Sequence, residues 1–370
     1  MARLVALADS LDARADEETT VRRAAGRTQE RPLAVAGCRP REVVVMRALP
    51  GLGDFLCVTP ALRALRSALP AARVTLLGLA GTRPLVDRYR HLVDAFLEFP
   101  GFPGLPEAPA NVRALPEFLR AVQGRFDLAL QMHGSGVVSN TFVQLLGARV
   151  SAGCYATPLA CPDPATFMPY PAGLAEPQVY LALLASLGIA GRGEQLEFPI
   201  AAHEQAELDA VLRGLAVADD AALALVHVGA ADARRRVEPW VLGRVVDGLA
   251  ARGLEPALTG SCGDAALAES VRAHVRCRPL DLVGRTSLGT LGALVRRARL
   301  VIAGDTGVSH LASALGTASV IVFLASAPQR WAPLDRRLHR VVDGRSAPAG
   351  AAAILAEVDA VLAASGVAHA

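Results

Sequence analysis

Short β-branched runs alternate with helix-length segments along this chain, and the alternation is set out twice. It begins with Glu42-Val-Val-Val-Met46, a turn at Pro50-Gly51-Leu52-Gly53, and a helical pattern from Pro60 to Leu69. Arg73–Leu77 then reads as a strand, Arg83–Arg90 as a helix and Phe126–Met132 as a strand. After Pro199 the pattern restarts. Strands are expected at Ala222–Val228, Glu255–Thr259, Leu280–Val283, Leu300–Ala303 and Ser319–Leu324. Between them lie helices at Trp240–Arg252, Ala265–Val275 and Gly307–Leu315, and one capped by Ser287 that runs through Ala298. Strands that alternate with helices build parallel sheets with crossover helices. The spacing therefore predicts an α/β chain with two doubly wound, Rossmann-like halves.

Length supports that division, because 370 residues suit two domains of ordinary size. The expected boundaries are an arginine-rich extension over 1–37, a first domain over 38–200 and a second over 201–345. A last helix (Ala351–Ala364), within 346–370, is expected to pack back toward the first domain. Two proline-rich stretches, 100–116 and 158–177, read as loops.

Composition removes several function classes. Arginine and lysine together number 38 against 35 acidic residues, and a net charge of +3 lacks the footprint of a dedicated nucleic-acid binder. All the basic residues are arginine, so lysine Schiff bases and a P-loop lysine are excluded. Six scattered cysteines without a C-x-x-C pair read as reduced thiols of a cytoplasmic protein. The longest uncharged stretch, 306–329, contains His310 and six serines or threonines. It parses as a helix and a strand, not as a membrane span.

In open α/β sheets, ligands bind outside the carboxyl ends of strands, where loops meet helix N-termini. Four such loops carry chemistry. In Leu49-Pro-Gly-Leu-Gly-Asp54, Gly53 permits a sharp turn. Asp54 is then either a general base for a hydroxyl or the N-cap of the next helix. In Ala303-Gly-Asp-Thr-Gly-Val-Ser-His310, the amides of Thr306 and Gly307 form an anion site suited to a diphosphate, with Asp305 and His310 beside them. His227-Val-Gly-Ala230, with Gly229 at its turn, precedes Arg234-Arg235-Arg236. That run is either a phosphate clamp or a solvated basic loop. Thr259, Gly260 and Ser261 with Asp264 end the next strand, where a nucleoside would lie. On the first half's side, His133 ends another strand and either contacts an acceptor or packs. No Asp-x-Asp occurs, so no carboxylate pair stands ready to hold a metal on a diphosphate, and no metal site or cofactor is expected.

Several of these elements, taken together, resemble the family 9 glycosyltransferases, the heptosyltransferases of lipopolysaccharide core assembly. They are Gly53-Asp54 with Thr59-Pro60-Ala-Leu-Arg63, His227-Val-Gly-Ala230, Val283-Gly-Arg-Thr-Ser-Leu288 and Gly304-Asp-Thr-Gly-Val-Ser-His310-Leu-Ala312. The resemblance runs over about 41–335, and its Asp-Thr-Gly-x-x-His element is the most specific. It implies a GT-B fold, two Rossmann-like domains facing across a cleft, with the donor held mainly by the C-terminal half. It further implies inverting transfer from an ADP-activated heptose to a glycan or glycolipid acceptor, without an obligatory metal.

By the same resemblance the base falls on Asp54, and the diphosphate element on Asp305, Thr306, Gly307 and His310. Arg236, with Arg235 as rival, becomes the phosphate cation, and Asp264 takes the place of an acidic residue near the nucleoside. Val228 stands where the family usually has proline, and the arginines are offset from Pro239-Trp240. The protein is expected in the cytoplasm, with at most peripheral contact at the inner face of the cytoplasmic membrane. Other readings are a family member with a natural-product acceptor and a non-catalytic nucleotide-binding relative. An epimerase of the same fold ranks last, because no paired carboxylates are placed for that chemistry.

Overall fold

The computed structural model describes residues 39–347 and 349–364, so the extension expected over 1–37 lies outside the described residues. The chain divides into two compact units between Glu194 and Gln195.

The first unit runs β1 (Glu42–Met46), α1 (Leu52–Leu56), α2 (Thr59–Ala68), β2 (Arg73–Gly78), α3 (Arg83–Arg88) and β3 (Ala95–Glu98). It continues through α4 (Leu115–Val122), β4 (Leu128–Gln131), α5 (Ser139–Leu145), β5 (Val150–Tyr155), β6 (Phe167–Pro169) and α6 (Glu176–Ser186). The second unit comprises α7 (Ala202–Gly214), β7 (Leu223–His227), α8 (Pro239–Ala250), β8 (Glu255–Thr259), α9 (Ala265–Arg272) and β9 (Leu280–Asp281). Then come α10 (Leu288–Arg297), β10 (Leu300–Gly304), α11 (Gly307–Leu315), β11 (Ser319–Phe323), α12 (Pro328–Trp331), β12 (His339–Asp343) and α13 (Ala351–Ala364).

Each unit holds one six-stranded sheet, with orders β3-β2-β1-β4-β5-β6 and β12-β11-β10-β7-β8-β9. All strand pairs are parallel. Read from its other edge, the second sheet repeats the winding of the first. In both, the first strand lies beside the fourth, and the direction of travel reverses there. In sheets wound this way, ligands bind outside the carboxyl ends of those two strands. The sites to look for are therefore the ends of β1 and β4, and of β7 and β10.

The central strands are buried on both faces, which is why they read as continuous apolar runs and not as alternating ones. Val43 through Met46 are all buried, as is the whole of Leu300–Gly304. Around Phe142 of α5 the rings of Phe99, Phe102 and Phe118 pack, anchoring the first unit's core. The second core gathers Val226, Val241, Val245, Ile302 and Val320.

Ile354, Val358 and Val361 of the last helix, α13, belong to the second unit's core. Two expectations are corrected. The domain boundary falls before 200, because Phe198 packs on α10. A Cβ at Gly292 would come within 2.5 Å of its ring. The stretch 158–177 is not all loop, since β6 pairs with β5 through Tyr155 and Pro169. A proline is tolerated there because an edge strand has an unpaired side where the missing N–H costs no ladder bond.

Candidate functional site

At the end of β1 the chain emerges through Arg47, a residue that sequence reasoning passed over. Its side chain is only 1% exposed. The guanidinium is held from several sides. Nε donates to the Asp54 carbonyl (3.0 Å), and Nη1 donates to the Met132 carbonyl (3.0 Å) and to Glu176 Oε1 (2.9 Å). Nη1 also donates to the Tyr180 hydroxyl, whose own proton goes to Glu176 Oε1 at 2.8 Å. Burial works against the charge on Arg47. The surrounding Tyr180, Glu176 and Asp54 outweigh it and hold its pKa above the ordinary value. Burial likewise pushes the Tyr180 phenol up, so it stays un-ionised. The one available signal is an arginine directly after the apolar run Val43–Met46.

Arg47 Nη2 stands 3.6 Å from Asp54 Oδ1. Asp54 lies in the first turn of α1, and its side chain makes no capping bond; the N-cap position is Gly51. The cap reading of Asp54 therefore fails. Instead its carboxylate folds against Gly51, where a Cβ would come within 2.3 Å of Oδ2. Gly53 is buried within the same turn.

The end of β4 lies beside this group. His133 is buried, and its Nδ1 accepts from the Ala48 N–H at 3.2 Å. An acceptor nitrogen carries no proton, so the ring is the Nε2–H tautomer, and Nε2 donates to Glu107 Oε1 at 3.2 Å. Burial opposes ionisation of Glu107, yet its bond with His133 prevails and lowers its pKa. Both ring nitrogens of His133 are thus engaged within the unit, which favours packing over acceptor contact. Gln131 fixes the loop by donating to the His133 carbonyl (2.5 Å) and to Ser139 Oγ (2.7 Å).

In the second unit the end of β10 delivers Asp305 and Thr306 to the start of α11, a helix of nine residues. First-turn amides at such an end have no intrahelical partner and favour an anion. Thr306 is the N-cap residue, but its hydroxyl makes no capping bond. Thr306 Oγ1 is buried with no hydrogen-bond partner. Asp305 is buried behind it, with Oδ2 accepting from Ser326 Oγ and standing 3.5 Å from Arg235 Nη1. His310 Nε2 is 3.9 Å from Asp305 Oδ1, and its ring meets Trp331 edge-on. Sequence reasoning missed Ser326, which arrives from the loop after β11. Gly304 lets the arginine loop approach: a Cβ there would come within 2.5 Å of the Arg235 carbonyl.

The arginine run divides. Arg234 is exposed, is tied to the half-buried Asp232 through three side-chain bonds, and is the solvated member. Arg235 reaches Asp305. Arg236, the first choice for the phosphate cation, donates through Nε to the Ala230 carbonyl at 3.0 Å. The structure thus puts the rival, Arg235, at the helix end.

Beside β7, the carboxylate of Asp264 covers Gly229, where a Cβ would come within 2.4 Å of Oδ2. That oxygen accepts from the Ser261 N–H (2.8 Å) and from Ser261 Oγ (2.7 Å). Gly260 lies close under the same side chain. Thr259 Oγ1 pairs with His227 Nδ1 at 3.2 Å, and burial pushes the His227 imidazole down to about 4 against the pull of Asp264. Val228 is a buried core residue whose N–H donates to the Thr259 carbonyl at 3.0 Å. A proline, the usual family residue, could not make that bond.

Two doubly wound sheets of this order are the GT-B fold, and solved structures agree. The glycosyl transferase family 9 protein of Veillonella parvula matches with a TM-score of 0.67 and 20% identity, over 83% of this chain and 86% of that one. The E. coli ADP-heptose lps heptosyltransferase II matches with a TM-score of 0.63 and 16% identity, over 88% and 99%. The E. coli heptosyltransferase WaaC, solved with ADP, gives 0.56 and 16%, over 88% and 100%. No curated protein matches the sequence. The model of glycosyltransferase family 9 (heptosyltransferase) matches residues 112–350, and the chain belongs to that family. It is a glycosyltransferase.

Proposed function

We propose that this glycosyltransferase moves a heptose, or a related sugar, from an ADP-activated donor to a hydroxyl of a glycan acceptor such as lipopolysaccharide core, with inversion. The observation that carries the reading is the buried, unpartnered hydroxyl of Thr306 at the start of α11, beside a buried Asp305. A lone buried hydroxyl is costly unless something bonds to it. At a helix N-terminus in a member of this family, a donor diphosphate is the group that would. The structural neighbours include the E. coli ADP-heptose lps heptosyltransferase II and the E. coli heptosyltransferase WaaC with ADP, which supports the choice of nucleotide.

In the reaction, Asp54 takes the proton of the acceptor hydroxyl as that oxygen attacks the anomeric carbon. The bond from that carbon to the diphosphate oxygen breaks with its electron pair leaving on the nucleotide. The amides at Thr306 and Gly307, with Arg235 and Arg236, receive the developing charge. His310 and Asp305 hold the helix end in shape, Gly229 gives the backbone room, and Thr259, Gly260, Ser261 and Asp264 line the nucleoside position. The nucleotide sugar is substrate, and the reaction as written calls on no metal or further cofactor. No helix among the described residues is long and apolar enough to cross a membrane. We assign the protein to the cytoplasm, working at most peripherally on the inner membrane face.

The test is calorimetric titration with ADP, UDP, GDP and dTDP. ADP is expected to bind selectively, and Thr306→Val to weaken it roughly ten- to hundredfold, the loss of one hydrogen bond to a charged group. Preference for another nucleotide, or an unchanged affinity in the variant, would overturn the assignment.

A further inference from the structure

The arrangement around Arg47 points to a function in the first unit beyond stability. Its fork meets Asp54 at two points: Nε donates to the main-chain carbonyl, and Nη2 forms an ion pair with the carboxylate at 3.6 Å, beyond hydrogen-bond distance. Nη2 is buried and has no hydrogen-bond partner, so its hold on the Asp54 carboxylate is electrostatic. The other arm is clamped by Met132 at the end of β4 and by the wholly buried Glu176 and Tyr180 of α6. The Arg47 side chain also lies over the Tyr180 ring, 4.9 Å from its centroid. This leaves the guanidinium a single orientation. On the far side, Gly51 leaves only enough room for the Asp54 carboxylate. An unclamped aspartate in a five-residue helix would sample several rotamers, and only some of them could meet an acceptor hydroxyl.

We infer that Arg47 is the positioning residue of the base: through its fork, fixed by Glu176 and Tyr180, it holds the Asp54 carboxylate in one orientation. The inference rests on the reading of Asp54 as base. Arg47 takes no proton and touches no substrate. Its contribution is to hold the attacking geometry, where a displacement of about 1 Å costs on the order of a hundredfold in rate. Lysine cannot replace it, because a single ammonium nitrogen cannot reach a backbone carbonyl and a carboxylate in the planar geometry of a fork.

The decisive variant is Arg47→Lys, which keeps a positive charge beside Glu176 and so avoids leaving a bare carboxylate buried. ADP release from ADP-heptose would be followed with heptose-free lipopolysaccharide core as acceptor, for the wild type, Arg47→Lys, Asp54→Ala and the double variant. Tyr180→Phe, which releases one clamp, would be assayed alongside, and ADP binding and thermal midpoint recorded for each. The expected result is a fall in kcat of about a hundredfold for Arg47→Lys, with donor KM and ADP affinity unchanged. A smaller fall is expected for Tyr180→Phe, and the double variant should be no slower than Asp54→Ala alone. A lysine variant with wild-type kcat, or a double variant whose losses multiply, would overturn the positioning role while leaving the base intact. An Asp54→Ala protein that turns over normally would instead remove the base reading, and the positioning role with it.

Discussion

Asp54→Ala is expected to lower the rate of transfer about 10²- to 10⁴-fold, the usual contribution of a positioned general base. Binding of ADP should stay as in the wild type. The reason for the split is where the residues sit. Asp54 belongs to the first unit, packed against Gly51 and Arg47, whereas Asp305, Thr306 and Arg235 belong to the second. Asp54→Asn should behave almost as badly as alanine, since the amide keeps the shape but cannot accept the proton. Turnover near that of the wild type in either variant would contradict the base assignment. Loss of ADP binding in Asp54→Ala would contradict the separation of the two roles.

The second large effect falls on stability. Glu176 is fully buried against Arg47, and removing one partner of such a pair strands the other charge in the interior. Glu176→Leu is therefore expected to destabilise the first unit by about 3–5 kcal/mol. For a unit of this size that corresponds to a thermal midpoint lower by roughly 6–20 °C. The loss should sit toward the lower end, because Arg47 retains Asp54 and two backbone carbonyls. Removing both charges, in Arg47→Met with Glu176→Leu, should recover much of the loss, since a well-packed apolar pair is often no worse than a buried ion pair. The check is thermal unfolding of the three variants. A single variant that melts with the wild type, or a double variant worse than both singles, would contradict this account.

The sequence made the second unit easier to read than the first. Glu255–Thr259 and Gly307–Leu315 lie where the pattern puts them, because regular strand–helix alternation and a strand–Gly-Asp-Thr-Gly–helix junction are strong signals. Ser287 caps α10 through its side chain, as its type and place suggested. The strands that escaped notice are those without such signals. β3 is Ala-Phe-Leu-Glu, β5 is Val-Ser-Ala-Gly-Cys-Tyr, β6 ends in proline, and β12 is His-Arg-Val-Val-Asp at a sheet edge. Their strand character comes from a neighbour offering its ladder, a tertiary fact that local propensity does not encode.

The site divides in the same way. Asp54, Asp305 and Thr306 were legible because each stands in a glycine-flanked loop just after a strand. Arg47 was not, since nothing within a few residues of it announces a partner. Glu176 and Tyr180 lie some 130 positions away and reach it only through the fold. Ser326 on Asp305 escaped for the same reason. The arginine run misled in a different manner. Three adjacent guanidiniums look equivalent in sequence, but the turn at Ala233–Arg235 sends Arg234 to Asp232, Arg235 to Asp305 and Arg236 to the Ala230 carbonyl.

The most direct measurement is a transfer reaction with ADP-heptose and heptose-free lipopolysaccharide core, with the product linkage assigned by NMR. Transfer that inverts the anomeric configuration of the donor is the predicted result. Retention of configuration, or ADP binding without any transfer, would contradict the account.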